Sequence, residues 1–162
     1  MFTFQLDSEI KHAFPSVAKA LDASGVAFFI KNAHYQYVYA NTSFQNLLNY
    51  ESIVNLTDNE VYIAKVAFDQ SRIEEKVFTT QLSDISESVI ITHQDTEKVL
   101  EFNRSVYKEG DASYIIGVVT DVTALKQKAQ FEAYKQVLTS EEVYEKVINR
   151  FSSYIFNNNN EQ

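Results

Sequence analysis

The chain has 162 residues, of which 45% are hydrophobic and 14% aromatic, with no cysteine and a formal net charge of −8. That length suits one domain with short extensions, and the apolar content argues against a disordered chain. Disulfides, thiolate metal sites and cysteine nucleophiles are excluded. The cations, including Lys31, Lys126/Lys128 and Lys146/Arg150, do not gather into the basic face that nucleic-acid binding requires.

In chain order, Asp7 is placed to cap a helix over residues 8–14, and Pro15 ends it or opens a second helix over residues 16–21. Ile10, Phe14, Val17, Ala18 and Leu21 fall on one side at helical spacing, the mark of a flanking helix that packs on the domain or on a partner. Neither this start nor any later run has the makings of a secretory signal or of the ~18–20 apolar residues of a membrane span. A cytoplasmic location is therefore expected, with no contact to a membrane.

Gly25 breaks the helix, and residues 26–30 and 37–40 read as two strands around a polar turn over residues 31–36. Asn41-Thr42 then supplies a cap for a short helix carrying Phe44, Leu47 and Leu48. A polar interval over residues 49–60 leads to a longer helix within residues 61–82, where Val66, Ile73, Val77 and Phe78 recur at helical spacing. Three strands follow at residues 88–93, 98–108 and 113–120, an antiparallel meander. In the middle strand Leu100, Phe102, Arg104 and Val106 share one face, which is the face toward the core.

From Ala124 the pattern is helical again, with Phe131, Tyr134 and Leu138 near a heptad seam that Gln127 weakens. Thr139 with Glu142 matches a capping box for a last helix whose stripe is Val143, Val147, Ile148, Phe151 and Ile155. Residues 157–162 have the composition of a polar tail or linker. Both helices need a partner surface, and Phe131, Leu138, Val147, Ile148 and Phe151 are the candidate contacts of a homodimer.

Strand, strand, helices and three strands make an α+β order, with a five-stranded antiparallel sheet holding helices on one face. Three stretches of this chain resemble PAS domains. Residues 39–50, Tyr-Ala-Asn-Thr-Ser-Phe-Gln-Asn-Leu-Leu-Asn-Tyr, are similar to the PAS strand that ends in Asn before Phe, Leu and an aromatic. Residues 55–60 resemble in part the Gly-Lys-Thr-Asp segment of PAS domains attached to bacterial kinases and transcription regulators, with Asn55 and Leu56 replacing its first two residues. Residues 116–123, Ile-Gly-Val-Val-Thr-Asp-Val-Thr, resemble the final PAS strand and its Asp-Ile-Thr signature.

The resemblance implies a PAS fold over residues 25–123, flanked by residues 1–24, by connector or dimerisation helices over 124–156 and by the tail over 157–162. It also implies a sensory domain, not an enzyme, with Asp121 and Thr123 relaying the state of the sheet to the outgoing helix and to an effector such as a kinase or transcription regulator. Physically, the Asp121 carboxylate can accept N–H bonds at that helix start, and a plain cap is the alternative reading.

PAS domains often enclose a small-molecule cavity, and Phe28, Tyr39, Phe44, Tyr62, Phe68, Phe78, Phe102 and Arg104 are the candidate lining here, against the alternative that the aromatics only fill the core. Arg104, a cation on an apolar face, needs either a ligand anion or an internal Asp or Glu. The cofactor is left unknown: the cysteine-linked flavin is excluded, and the haem-ligating histidine of haem-binding relatives has no counterpart in residues 64–82. His34 falls in the polar turn and His93 at the end of the third strand, where each reads as solvent-facing more readily than as a ligand; His12 lies outside the domain, and no metal spacing is present.

Phosphate loops, nucleophile elbows and zinc-protease motifs are missing, and Glu74/Glu75 read as a solvated helix face. One enzymatic rival, a small cone-shaped fold of the ketosteroid isomerase kind, would need an internal acid–base pair that the pattern does not show. A ligand-free dimerisation adaptor is the main alternative to a sensor.

Overall fold

A computed structural model of the chain describes residues 15–139 and 145–152. The elements are α1 (Pro15–Ser24), β1 (Ala27–Lys31), β2 (Tyr37–Ala40), α2 (Thr42–Leu48), α3 (Asp58–Val61), α4 (Ala64–Thr80), β3 (Asp84–Ile91), β4 (Glu97–Glu109), β5 (Ala112–Asp121) and α5 (Thr123–Thr139). Residues 145–152 are also helical. The helix expected over residues 8–14, Glu142 of the capping box, Ile155 and the tail lie outside the described residues, as does the side chain of Leu138.

The chain divides into two compact units after Thr123. In the first, the five strands form one antiparallel sheet in the order β2-β1-β5-β4-β3. This is the expected α+β arrangement. β4 and β5 join through Gly110 and Asp111, with Gly110 at φ 58°, the conformation that the first position of a two-residue hairpin loop demands.

Alternation along the strands decides what enters the core. Ala27 and Phe29 of β1, Leu100 and Phe102 of β4, and Ile115 and Val119 of β5 point to one face, where Phe44, Leu48, Val61, Val66, Ala67 and Val77 of the helices meet them. Gly117 lies between Ile115 and Val119 and pairs in register with Phe29, whose ring covers it.

Asn41 joins strand to helix. It is 2% exposed, its Oδ1 accepts from the Phe44 N–H at 3.1 Å and the Phe28 N–H at 2.9 Å, and its Nδ2 donates to the Val26 carbonyl at 2.7 Å. One side chain therefore caps α2 and ties β1 to it. Asn41→Ala is expected to cost about 2 kcal/mol in urea unfolding, because it removes a helix cap and orphans two buried N–H groups. Asn41→Asp, which keeps the acceptor, should lose less, and equal losses for the two would refute the capping role.

β3 departs from expectation. The strand runs over Asp84–Ile91, not residues 88–93. Its polar residues Asp84, Ser86 and Ser88 sit half-buried on the inner face with buried Ile90, while Ile85 and Val89 are exposed. Reading alternation from apolar residues alone misses such a strand, because its inner face is polar.

In the second unit α5 and residues 145–152 carry exposed apolar side chains, including Phe131, Val147, Ile148 and Phe151. No described helix is long and apolar enough to cross a membrane.

Candidate functional site

Lys31 ends β1 on its inward face, two residues beyond Phe29. The sequence reading placed it in a polar turn, yet the strand continues through it and its side chain is 1% exposed. A buried ammonium requires anionic partners. Lys31 Nζ donates to Asp58 Oδ2 at 2.6 Å and to both oxygens of Glu74 at 2.8 and 3.0 Å. Its ammonium also lies 4.4 Å from the centroid of the Tyr37 ring, whose hydroxyl donates to Asp58 Oδ1 at 2.7 Å.

Asp58 opens α3 after the capping box formed by Thr57 and Glu60. Glu74 belongs to the inward stripe of α4 with Ala67, Gln70 and Val77. It was expected on a solvated face with Glu75, but only Glu75 is exposed; one residue along a helix turns a side chain about 100°.

Arg104 completes the group from β4. It is 1% exposed, its Nη1 donates to Ser86 Oγ at 3.3 Å, and its guanidinium stands 4.5 Å from the Phe102 ring centroid. Of the two partners open to it, an internal carboxylate is present: Glu74 Oε1 is 3.5 Å from Nε, an ion-pair separation. The geometry falls short of a hydrogen bond, so Nε has no hydrogen-bond partner. Two cations and two carboxylates from β1, α3, α4 and β4 thus balance in formal charge.

Electrostatics follow from the burial. Desolvation pushes the Glu74 carboxyl above its ordinary value, against the pull of Lys31 and Arg104, while Asp58 adds to the rise. Desolvation and the nearby Asp58 carboxylate likewise hold the hydroxyls of Tyr37 and Tyr62 well above the usual tyrosine range.

A raised folded-state value means that folding favours the protonated carboxyl. The stability Glu74 contributes is therefore fully present below its unfolded value, near 4.5, and is lost as pH rises through the higher folded value. The expected result is that the unsubstituted chain gains stability relative to Glu74→Gln as pH is lowered from neutrality toward that value, read by urea unfolding of both proteins at each pH. A relative loss over that range would contradict the burial-dominated balance.

An open cleft of about 440 Å³ lies above the two carboxylates. Asp58 and Glu74 line it together with His34, Tyr35, Asn59 and Phe68. Phe68, on α4, is 62% exposed at this cleft. Tyr35 adopts φ 62°, within a turn in which Asn32 Oδ1 accepts from the N–H groups of His34 and Gln36.

The structure brings together only part of the expected lining. Phe44, Tyr62 and Phe102 share the main core, and Arg104 joins the charged cluster above them. Phe78 is half-buried, edge-on to Tyr35 with ring centroids 5.7 Å apart. Phe28 and Tyr39 do not belong with these. They pack on each other at 6.0 Å in a separate cluster with Ile30, Val38 and Tyr114, on the other face of the sheet, because Phe28 alternates with inward-facing Phe29.

At the junction with α5, Asp121 Oδ1 accepts from the N–H and hydroxyl of Thr123 at 2.9 and 2.6 Å. Thr123 Oγ1 in turn accepts from the Val99 N–H at 3.0 Å, and the Val122 N–H donates to the Val99 carbonyl at 2.9 Å. Val122 and Thr123 are therefore bonded to β4 as well as continuous with β5.

No family model matches the chain, and no curated protein matches it. Solved structures do. A PAS domain from a two-component sensor histidine kinase is 12% identical, with a TM-score of 0.55, 68% of this chain and 97% of that chain covered. The PAS domain of a Colwellia psychrerythraea protein is 14% identical, with a TM-score of 0.58 and 69% and 98% covered. The Vibrio cholerae LuxR-type receptor VqmA, whose structures include a ligand–DNA complex, is 17% identical with a TM-score of 0.56; the match covers 62% of this chain and 47% of VqmA. Strand order, crossover helices and these similarities agree, and the chain has the PAS fold.

Proposed function

We propose that this chain is a cytoplasmic sensory module that binds a small molecule beside the Lys31–Asp58–Glu74–Arg104 cluster and passes its occupancy through Asp121 and Thr123 into α5. The observation that carries the reading is the buried cluster itself. Four charges from four elements meet in the core next to an open cleft, so a molecule that alters their pairing alters how β1, α3, α4 and β4 are held together. The output is an attached or separate kinase or transcription regulator, in keeping with the histidine-kinase and LuxR-type proteins that share the fold. The module performs no chemistry of its own and acts as a homodimer through α5 and residues 145–152.

Two measurements test this. Mass spectrometry of the solvent extract of the purified chain, with a near-ultraviolet and visible absorbance scan, identifies any tightly held molecule or chromophore. Adding that molecule back should change amide exchange at Val99, Val122 and Thr123, and Asp121→Ala should abolish the change while leaving binding intact. Binding without any change at these amides would refute the relay.

The exposed Phe131, Val147, Ile148 and Phe151 also favour a second reading, a dimerisation adaptor that holds no ligand. Ile148→Glu should shift the sedimentation profile toward monomer under both readings. Failure to extract or bind any molecule would leave the adaptor as the better account.

A further inference from the structure

Arg104 stands between two carboxylates and is hydrogen-bonded to neither. One is Glu74, whose Oε1 lies 3.5 Å from Nε, near enough for ion pairing but outside hydrogen-bond geometry. The other is Asp84, which faces Arg104 directly in the β3–β4 register and on the same inward side of the sheet. Residues so placed have Cβ atoms about 5 Å apart, and opposite charges there attract. Yet no ion pair joins Asp84 to Arg104. The guanidinium leans one row along the sheet instead, 4.5 Å from the Phe102 ring centroid, and Nη1 donates at 3.3 Å to Ser86, the residue paired with Phe102.

That lean leaves a matched pair of unmet groups. Arg104 Nε, which only donates, and Asp84 Oδ2, which accepts when ionised, are both buried and both without a hydrogen-bond partner. Buried polar groups are bonded as a rule, and leaving them unbonded is destabilising. One rotation of the Arg104 side chain toward its own row would satisfy both, in the planar two-point pairing that guanidinium and carboxylate favour.

Charge holds Arg104 in its present place. Glu74 and Asp58 share a desolvated site in which Lys31 supplies one cation to two carboxylates. Arg104 supplies the second, so the group is neutral only while the guanidinium stays beside Glu74. The titratable groups that act on Glu74 are Lys31 of β1, Asp58 of α3 and Arg104 of β4, with the hydroxyls of Tyr35, Tyr37 and Tyr62. Asp84 of β3 faces Arg104 instead.

We propose that Arg104 is a two-position switch, which pairs with Glu74 while that carboxylate is charged and turns to Asp84 when the charge is lost or drawn away. In the first position Arg104 ties α4 to β4. In the second it ties β3 to β4, and α4 keeps only Lys31 from the cluster. The charge of one buried side chain thus decides whether the helix layer or the edge strand is fastened to β4. The switch needs no bound molecule, so it goes beyond the sensory reading and stands or falls apart from it.

Glu74→Gln, which removes the charge and keeps the shape, sets the second position in the full chain. Asp84→Asn should then change the unfolding equilibrium constant by less than about threefold in the unsubstituted chain, but by at least about tenfold in the Glu74→Gln chain, where Asp84 holds a buried cation. Urea unfolding of the four proteins reads both values. In NMR spectra the Arg104 Nε–H signal, one of three from the chain's arginines, is assigned through its side-chain correlations. It should move downfield in Glu74→Gln as it gains a charged hydrogen bond, and return in the double variant. Should Glu74→Gln fail to fold, the same signal is followed in the unsubstituted chain and in Asp84→Asn as pH falls from neutrality, with a shift expected in the first and not in the second. Equal effects of Asp84→Asn in the two backgrounds, or an Nε–H signal that stays in place, overturn the switch. A tenfold loss already present in the unsubstituted chain would do the same, because it would put Arg104 on Asp84 from the start.

Discussion

Lys31→Met will lower the unfolding free energy by about 3–5 kcal/mol, the usual consequence of removing one partner from a buried ion pair. Methionine nearly matches the length of the lysine stem and fills the same space, so packing changes little. What is lost is the cation between Asp58 and Glu74, each of which it contacts within 3 Å. Two carboxylates then share a desolvated site with Arg104, whose nearest approach to Glu74 is 3.5 Å. Pairing Lys31→Met with Glu74→Gln restores formal charge balance and should recover more than half of the loss, a coupling that independent sites would not show. Urea unfolding of the four proteins closes the cycle, and additive losses would mean that the two residues do not act through each other.

Gly117→Ala will be similarly damaging for a different reason. A Cβ built at Gly117 would stand 2.1 Å from Phe29 Cζ and 2.2 Å from Cε1, far inside van der Waals contact. Phe29 is 1% exposed, with Tyr37, Phe44 and Phe102 around its ring, so the ring has nowhere to go without displacing them. Overpacking of this kind costs about 3 kcal/mol or more. Phe29→Leu in the same chain should relieve part of it, giving a double variant more stable than the sum of the single losses predicts. If Gly117→Ala unfolds at the parent urea concentration, the close approach of ring and backbone is wrong.

That glycine shows why the fold is legible in the sequence. Gly117 and Asp121 fall in residues 116–123, and Asn41 and Phe44 in residues 39–50, stretches in which a backbone need dictates the residue type. Register and capping leave few substitutes at such positions, so they read clearly. The charged cluster was harder to read because its members come from four separate elements. Lys31 occurs once at the end of an apolar strand, and Glu74 has an exposed glutamate beside it. The available signals were periodicity ones: Lys31 two and four residues after Phe29 and Ala27, and Glu74 four after Gln70 and three before Val77. Arg104 was visible as a cation on an inward face, but only the fold supplies its partner. Phe28 and Tyr39 were drawn into the pocket by their aromaticity, which says nothing about which side of a sheet a ring takes.

The polar inner wall of β3 also makes that strand internally frustrated. A slip of one residue in its pairing with β4 would turn Ile85, Glu87, Val89 and Ile91 into the core and send Asp84, Ser86, Ser88 and Ile90 to solvent. The apolar residues alone favour the slipped strand, and the native register is held against it by the cost of burying Glu87 and by the bonds of Ser86 and Ser88 to Arg104 and Gln70. Whatever engages those side chains also decides which of two pairings the sheet's last strand keeps.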